Sequence, residues 1–251
     1  MSGRVGSITT DIIADGLVLN MDAANRASCI PSSNTTIVYN TVDLSVSGSL
    51  SSADGELPDP TYIGPPTSAS CWTFDGVDDY IDCGNSSLFD DLATNGVFTI
   101  SLWAKWGTQL DASSGLFQLG GSTGGTNRRY FLGLGFGTYD SGYIQWGTGN
   151  STSITTDHRI GDDNLDDYNW HHIVIASNGT AVGDAEYYID GSGGPCVGTS
   201  GVGSITEANL IGSRGLVGFI AGNIANIQIY NRKLSANEVL HNYNALKGRF
   251  I

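Results

Sequence analysis

The 251-residue sequence predicts an all-β protein, either a sandwich or a barrel, that ends in one short helix. Short segments with alternating apolar and polar residues are separated by turn residues, and 35 residues are glycine. Helical periodicity extends over a long stretch only near the C-terminus. The length suits one large β domain, and no interdomain linker is recognisable after residue 14.

The first part of the chain alternates strands with a long polar stretch. Residues 16–22 are predicted as the first strand. Residues 26–70 are rich in turn residues, and residues 37–44 are their only firm strand-like piece. Residues 72–83 predict two strands joined by a turn at Asp75-Gly76.

The strictest alternation spans residues 96–106. Its apolar positions should face the core, whereas the opposite face carries Trp103. Similar but shorter patterns predict further strands at residues 115–119, 129–136, 142–146, 170–176, 186–190 and 208–211.

A change of period marks the end of the chain. Residues 222–232 alternate as a half-buried strand, and Ser235 and Glu238 then have the spacing of a helix-capping box. We expect a helix to begin there and to end in a left-handed cap at Gly248. Its apolar face should contain Val239, Tyr243 and Leu246.

Composition excludes several classes of partner. The net charge is −14 with only three lysines, which argues against nucleic acid and against anionic membranes. No signal peptide or membrane span is recognisable, so we expect synthesis in a cytosol and no membrane insertion. The four cysteines lack metal-ligand spacing and are expected to be buried thiols, although a bridge between Cys71 and Cys83 stays open.

Six segments together resemble the laminin-G-like, concanavalin A-like lectin-glucanase superfamily. The resemblance implies a two-sheet antiparallel jelly-roll sandwich over residues 15–251, preceded by an N-terminal tail or docking segment at residues 1–14. Within the superfamily the chain is most similar to versions found in structural proteins of tailed, especially marine, bacteriophages, which share a closing segment like residues 231–244. The six segments are residues 17–22, 74–81, 98–103, 170–174, 188–191 and 227–235.

The carboxylates of a glucanase are missing from their expected positions. Retaining enzymes of the resembled family place two carboxylates about 5 Å apart in an E-x-D-x-x-E pattern. The chain has four glutamates, and none lies in that pattern. Residues 120–124 match G-x-S-x-G, but no helical stretch follows them, so no nucleophile elbow is predicted as a serine partner for His171 or His172. We therefore predict that the protein is not an enzyme.

The resemblance also implies a structural calcium ion, and no other cofactor is expected. Its oxygen ligands would come from the turn that carries Asp75, Asp78 and Asp79, and from the closing strand. Relatives commonly have an acidic residue where this chain has Ala225, which removes one expected ligand. The alternative is that the three aspartates serve only the turn and the sheet edge.

A carbohydrate site would need exposed aromatic rings beside polar side chains. The alternative for aromatic residues in a sandwich is the core. The candidates for the site are Trp103, Trp106, Arg129, Tyr130, Tyr143 and Trp146.

Two functions follow from these features. The first is a non-enzymatic virion structural protein of a tailed phage, made in the host cytoplasm and displayed on the virion surface. It would be a capsid decoration or tail-associated component bound to other capsid or tail proteins, with cell-surface glycans as further partners. The alternative is a lectin-like carbohydrate-binding module in host recognition, on a tail fibre or secreted. A glycan-cleaving enzyme ranks behind both, and the sequence does not predict an oligomeric state.

Overall fold

The structure is a computed structural model that describes residues 12–29, 36–52, 60–64, 69–107, 114–120, 129–135, 143–149, 154–160, 165–197, 209–216 and 218–251. These residues contain sixteen strands and two α-helices. The elements are β1 (Leu17–Asp22), β2 (Ile37–Val38), β3 (Gly48–Ser52), β4 (Thr61–Ile63), β5 (Cys71–Asp75), β6 (Asp79–Asp82), α1 (Ser87–Asn95), β7 (Val97–Trp106), β8 (Ser114–Leu119), β9 (Arg129–Leu134), β10 (Ile144–Gly149), β11 (Ile154–Ile160), β12 (Trp170–Asn178), β13 (Ala185–Ile189), β14 (Ser192–Pro195), β15 (Leu210–Ile211), β16 (Ala221–Tyr230) and α2 (Ala236–Leu246).

The strands form two antiparallel sheets, which confirms the predicted jelly-roll sandwich. Sheet one has the order β14-β13-β12-β7-β16-β5-β4, and β1 also pairs with β16. Sheet two has the order β11-β10-β9-β8-β15-β6-β3-β2. Neighbouring strands are often far apart in sequence, as expected for a jelly roll.

The main core lies between the two sheets. Phe98, Ile100, Leu102 and Ala104 on β7 are fully buried there, as their alternation predicts. Trp146 on β10 packs edge-on against Phe98 from sheet two, with 6.2 Å between ring centroids. Burying each side chain of this size contributes roughly 1.5–3 kcal/mol, so this core is the main source of stability.

The predicted turn at Asp75-Gly76 connects the two sheets. Strand β5 belongs to sheet one and β6 to sheet two, so the two predicted strands are not paired with each other. Gly76 has φ 84°, and a Cβ atom there would lie 2.7 Å from that of Ala221. The turn therefore requires glycine. The four cysteines are free thiols, so Cys71 and Cys83 are not bridged. Cys71, Cys83 and Cys196 are buried as expected, whereas Cys29 is half-buried.

A β-bulge interrupts β16 at Ala225. The register with β7 shifts between Ile224 and Asn226, so one residue of β16 has no counterpart on β7. The bulge places the side chain of Ala225 beside Trp103 on the outer face of sheet one, while Ile224 and Ile227 stay in the main core. The outer face is the one turned away from sheet two.

Helix α2 begins at the predicted capping box. The Ser235 N–H donates to the Glu238 carboxylate at 2.8 Å, and the Glu238 N–H donates to the Ser235 hydroxyl at 3.4 Å. Arg232 donates two hydrogen bonds to the same carboxylate at 3.1 and 2.7 Å. The bonds from Arg232 and then from Ser235 lower the pKa of Glu238 to about 2. This local network fixes the start of the helix.

The predicted end of α2 is wrong. The helix continues into a short 3₁₀ turn, Lys247–Arg249, and Lys247 keeps a right-handed conformation instead of leading into a left-handed cap at Gly248. The continuation allows Phe250 to pack on Trp103, with 4.3 Å between ring centroids. Tertiary packing thus decides how the chain ends.

Several elements are absent from the sequence prediction. Helix α1 has nine residues, too few for a clear period, and buries Phe89, Leu92 and Ala93. Strands β3, β4, β11 and β14 are also additional, and β2 is only two residues of the predicted segment 37–44. Within the described residues, neither helix is long and apolar enough to cross a membrane.

The predicted N-terminal tail lies mostly outside the described residues. Residues 12–14 are described, and Ile12 and Ile13 pack against the outer face of sheet one. The Ile13 N–H donates to the side chain of Asn242 in α2 at 2.9 Å. These residues therefore belong structurally with the domain.

Candidate functional site

One end of sheet one brings together the acidic turn and an exposed tyrosine. Asp75 lies opposite Ala221 on β16, and the adjacent Gly222 lies opposite Trp106 on β7. The Tyr168 N–H donates to the Trp106 carbonyl at 3.0 Å. Strands β5 and β7 flank β16, which puts them about 10 Å apart. We call this end, formed by residues 75–79, 106–107 and 165–169, the tip.

The three aspartates predicted as calcium ligands are adjacent at the tip. Carboxylate oxygens of Asp75, Asp78 and Asp79 all lie within 4.8 Å of one another. Asp79 accepts the Asp75 N–H at 2.8 Å, Asp75 accepts the Val77 N–H at 2.7 Å, and Asp78 accepts the Ser52 hydroxyl at 2.9 Å. These bonds shape the turn and bring three like charges together. Carboxylate oxygens so arranged fit the hard-oxygen preference of Ca²⁺.

Ala225 does not bear on this turn, contrary to the sequence analysis. The bulge puts its side chain in a cluster with Cys71, Trp103 and Leu246, on the outer face of the sheet. The residue of β16 opposite Asp75 is Ala221, four positions earlier. The register of β16, which the sequence does not show, therefore removes the expected objection from Ala225.

Four of the aromatic residues predicted to bind sugar are instead core residues. Trp103, Trp106, Tyr130 and Trp146 are at most 1% exposed, so their rings have no open face for a ligand. Tyr130 and Trp146 stack on each other inside the sandwich at 5.4 Å. This corrects the prediction for these four residues.

The other two predicted sugar-binding residues give less information. Tyr143 is half-buried and immediately precedes β10. Arg129 begins β9, but its side chain lies outside the described part of the structure. Their role in sugar binding stays a prediction.

Trp103 belongs to a covered aromatic cluster between sheet one and α2, formed with His172, Tyr243 and Phe250. Its ring stacks on these three at 5.1, 5.7 and 4.3 Å, respectively. His172 is fully buried, and burial lowers its pKa to about 4, so it is neutral at pH 7. Its Nε2 lies 2.8 Å from the Ser101 hydroxyl, a serine partner that the sequence analysis missed. Both groups are buried, which denies a substrate access to them.

His171 lies on the opposite face of β12 from His172 and holds residues 165–169 at the tip. Its Nδ1 lies 2.8 Å from Asp190, and its Nε2 lies 3.2 Å from Asp167. Burial by itself lowers the pKa of His171, but the bonds and charges of Asp190 and Asp167 outweigh it and raise that pKa. The histidine thus ties β12 to Asp167, which precedes Tyr168, and to Asp190, which follows β13.

Tyr168 is the only exposed aromatic residue among those described, with 68% of its surface accessible. Its φ of 61° is left-handed, which costs an L-residue roughly 1–2 kcal/mol. The ring lies over Gly107, where any Cβ atom would collide with it. Strain of this kind persists where the surroundings enforce it, often at functional sites. Gly107 and Tyr168 are 61 positions apart, so no local pattern revealed this arrangement.

Polar groups flank the exposed ring. Asp167 accepts two hydrogen bonds from Asn169, at 2.8 Å from its backbone N–H and at 2.8 Å from its side-chain amide. Asp167 and Asn169 are both exposed. An aromatic face beside a carboxylate and an amide can pack against the C–H face of a sugar and bind its hydroxyls.

Comparison with known families agrees with this architecture. Residues 75–240 match the concanavalin A-like lectin/glucanases superfamily. The chain therefore belongs to this superfamily. No curated protein sequence matches the chain significantly.

Solved structures with the same fold have low sequence identity. The binding domain of botulinum neurotoxin DC, in complex with rat synaptotagmin II, has a TM-score of 0.62 and 13% identity, covering 92% of this chain and 52% of that one. Trypanosoma rangeli sialidase in complex with sialic acid has a TM-score of 0.58 and 17% identity, covering 91% and 32%. Domain 4 of AbnA, an extracellular arabinanase from Geobacillus stearothermophilus, was solved in complex with arabinotriose. It has a TM-score of 0.58 and 16% identity, and the match covers 89% of this chain and 96% of that one.

The extent of these matches limits what they show. The chain spans about half the length of the neurotoxin binding domain and about a third of the sialidase. At identities of 13–17% the likeness concerns the fold alone. Function has to be argued from the site.

Proposed function

We propose that the protein is a carbohydrate-binding domain that holds a glycan at the tip. The observation that carries the proposal is Tyr168, an exposed ring held over Gly107 in a strained conformation. Proteins of the same fold support it. One was solved with arabinotriose and another with sialic acid, and entry of botulinum neurotoxin type C depends on two ganglioside molecules.

The chemistry of the tip favours a neutral sugar. The ring of Tyr168 packs against the C–H face, while Asp167 and Asn169 bind neighbouring hydroxyls. The protein carries a net charge of −14, which repels sulfated or sialylated glycans. Because the backbone of Tyr168 is already fixed by Trp106, binding orders few additional groups.

Calcium at the acidic turn is part of the proposal. Asp75, Asp78 and Asp79 would hold the ion through carboxylate oxygens, which lie within 4.8 Å of one another. Bound calcium would supply positive charge that offsets the repulsion among three carboxylates. The role of the ion would be structural, stiffening the turn beside the glycan site.

A glycan array with matched variants tests the proposal. We expect Tyr168→Ala to weaken binding about tenfold or more, equivalent to about 1.4 kcal/mol, because the stacking face is lost. Tyr168→Phe keeps that face and should retain binding. Gly107→Ala displaces the ring without removing it and should weaken binding as well. Equal binding by Tyr168→Ala and the wild type would contradict the proposal.

Calcium is tested separately by titration calorimetry of the chelator-treated protein. We expect binding of Ca²⁺ that Asp79→Asn abolishes, since Asp79 is buried within the turn at 4% exposure. Val77→Ala, an exposed change in the same turn, serves as the control. Absence of Ca²⁺ binding by the wild type would remove the metal from the proposal and leave the glycan site in place.

The absence of enzymatic activity is also a proposal. Two glutamates lie among the described residues, and both have structural contacts. Glu238 closes the capping box, and Glu186 accepts the Tyr188 hydroxyl at 2.6 Å and lies 3.0 Å from Lys233. Incubation with laminarin, agar and alginate should release no product. Release of oligosaccharides would reassign the protein as a glycan-cleaving enzyme.

The second candidate is a structural component of a tailed-phage virion, displayed on its surface and bound to other virion proteins. The closing segment, residues 231–244, supports it through its resemblance to phage structural proteins. This role is compatible with glycan binding, since a surface component can do both. Cryo-electron microscopy of purified particles tests it directly. Density for the domain on capsid or tail is expected, and particles lacking the protein would contradict the role.

A further inference from the structure

A cleft lies at the end of the sandwich opposite the tip. It is open, has a volume of about 400 Å³ and is lined by Leu88, Asp91, Leu92, Asn95, Val97 and Asn231. Val97 begins β7 and Trp106 ends it, so the cleft and the tip are separated by about 30 Å. Pockets for small molecules usually begin at about 300 Å³, so the cleft is large enough to bind one.

The polar side chains of the cleft are open to a ligand. Asp91, Asn95 and Asn231 are exposed, and their side chains make no hydrogen bond with any residue in the described part of the chain. By contrast, the buried amide of Asn209 is fully used inside the protein, where it bonds Gly120 and Gly84 at 2.9 and 2.8 Å. The cleft thus presents acceptors from one carboxylate and both donors and acceptors from two amides.

The backbone beneath these groups is fixed. Asn95 ends α1, and the left-handed Gly96 that follows donates its N–H to Leu92 at 2.9 Å. A Cβ atom on Gly96 would collide with the backbone of Gly179, which shows how closely this helix end is packed. The Asn231 N–H donates to the Gly16 carbonyl at 2.8 Å. A ligand therefore meets a fixed backbone and has to order only the side chains of Asp91, Asn95 and Asn231.

The remaining lining residues define the ligand class. Leu88 and Val97 are half-buried and provide an apolar surface beside the polar groups, whereas Leu92 is almost fully buried. The lining residues carry one negative charge and no positive charge, which disfavours phosphate, sulfate and sialic acid. A neutral sugar has both the vicinal hydroxyls and the C–H face that match this set.

We propose that this cleft is a second saccharide-binding site, specific for a neutral sugar unit. Asp91, Asn95 and Asn231 bind its vicinal hydroxyls, and the apolar side chains contact its C–H face. The site shares its ligand class with the proposed function but does not depend on Tyr168. Two sites at opposite ends would let one domain bridge two glycan chains or bind one multivalent surface.

NMR titration of the full chain with glucose, galactose, mannose, arabinose and arabinotriose tests the cleft. At least one probe should shift the amide signals of Leu92, Asn95 and Val97. Asn95→Ala removes a partner of a sugar hydroxyl, and Asp91→Asn replaces a charged acceptor with a weaker neutral one, so each should weaken that binding about tenfold. Asn244→Ala changes an exposed amide of α2 outside the cleft and should have no effect.

The outcomes separate this site from the tip. Binding at the cleft should persist in Tyr168→Ala, whereas binding at the tip should persist in Asn95→Ala. The inference is overturned if none of the five sugars shifts the cleft signals, if Asn95→Ala binds like the wild type, or if inorganic phosphate binds there instead. Because Asn95 and Asp91 are exposed, both variants should melt within a few degrees of the wild type, which thermal unfolding verifies.

Discussion

The covered aromatic cluster and Tyr168 use similar side chains for opposite purposes. Trp103 has stacking partners in His172, Tyr243 and Phe250 and is completely buried under α2. Tyr168 packs one side on Gly107 and leaves 68% of its surface accessible. A ring packed on both faces contributes stability, whereas a ring with one open face is available to a ligand. The difference lies in the covering residues rather than in the aromatic side chain.

The largest effect is expected from Trp103→Ala. Removing this ring leaves a cavity beneath α2 and should lower the free energy of unfolding by about 3–5 kcal/mol. Urea denaturation measures the change, and Trp103→Phe should lose clearly less. Glycan binding per folded molecule should be unaffected, because the ring contacts no proposed ligand. A loss below 1 kcal/mol would show that the cluster does not hold the helix.

The second effect concerns the pH dependence that His172 confers. Its pKa is about 4 in the folded protein and about 6.5 when unfolded, so the histidine is neutral in both states above pH 7. As the pH falls from 6.5 to 4, the unfolded state binds a proton that the folded state does not. Stability should therefore fall by about 3 kcal/mol over this range.

The neighbouring His171 changes stability with pH in the opposite direction, so its effect has to be removed from the measurement. Asp190 and Asp167 raise the pKa of His171, so its contribution is full below its unfolded pKa and is lost as the pH rises through the folded value. Urea denaturation between pH 4 and 7 should therefore be done in a His171→Gln background. There, adding His172→Gln should remove most of the slope, and the part that remains below pH 5 comes from carboxylates whose pKa is lowered by folding, such as Glu238. An unchanged slope would mean that His172 is protonated in the folded protein.

An intermediate effect is expected at the start of α2. Ser235→Ala removes the hydroxyl that caps the Glu238 N–H and should cost about 1 kcal/mol. Ser235→Thr keeps a hydroxyl and should recover most of the loss. Thermal unfolding measures both variants. The comparison shows how much of the covered cluster depends on local helix capping rather than on ring contacts.

The smallest effect on stability is expected at Tyr168, with the opposite sign. Tyr168→Gly relieves the left-handed conformation and should raise the free energy of unfolding by about 0.5–1 kcal/mol while abolishing glycan binding at the tip. Urea denaturation and the glycan array measure the two effects on one variant. A decrease of more than 1 kcal/mol in the free energy of unfolding would show that Tyr168 stabilises the fold, as Trp103 does.

Local patterns predicted the parts of the fold that short stretches of chain specify. The alternation in residues 96–106 identified β7 and its core face, because the pleat sends successive side chains to opposite sides. Ser235 and Glu238 identified the start of α2, because all groups of a capping box lie within four residues. The turn that carries Asp75, Asp78 and Asp79 was found for the same reason.

The tertiary structure decided which side chains are buried by distant elements and how the strands are aligned with one another. Whether Trp103 is a sugar platform or a core residue depends on α2, which begins 133 positions later and folds back over sheet one. The bulge at Ala225 and the serine partner of His172 follow from strand pairing. Tyr168 can occupy its position because Gly107 leaves room beneath its ring. The sequence by itself determined the all-β class, the closing strand and helix, and the acidic turn, since those are local, and its resemblance to a known superfamily added the jelly roll. The choice between stabilising and ligand-facing aromatics required long-range contacts.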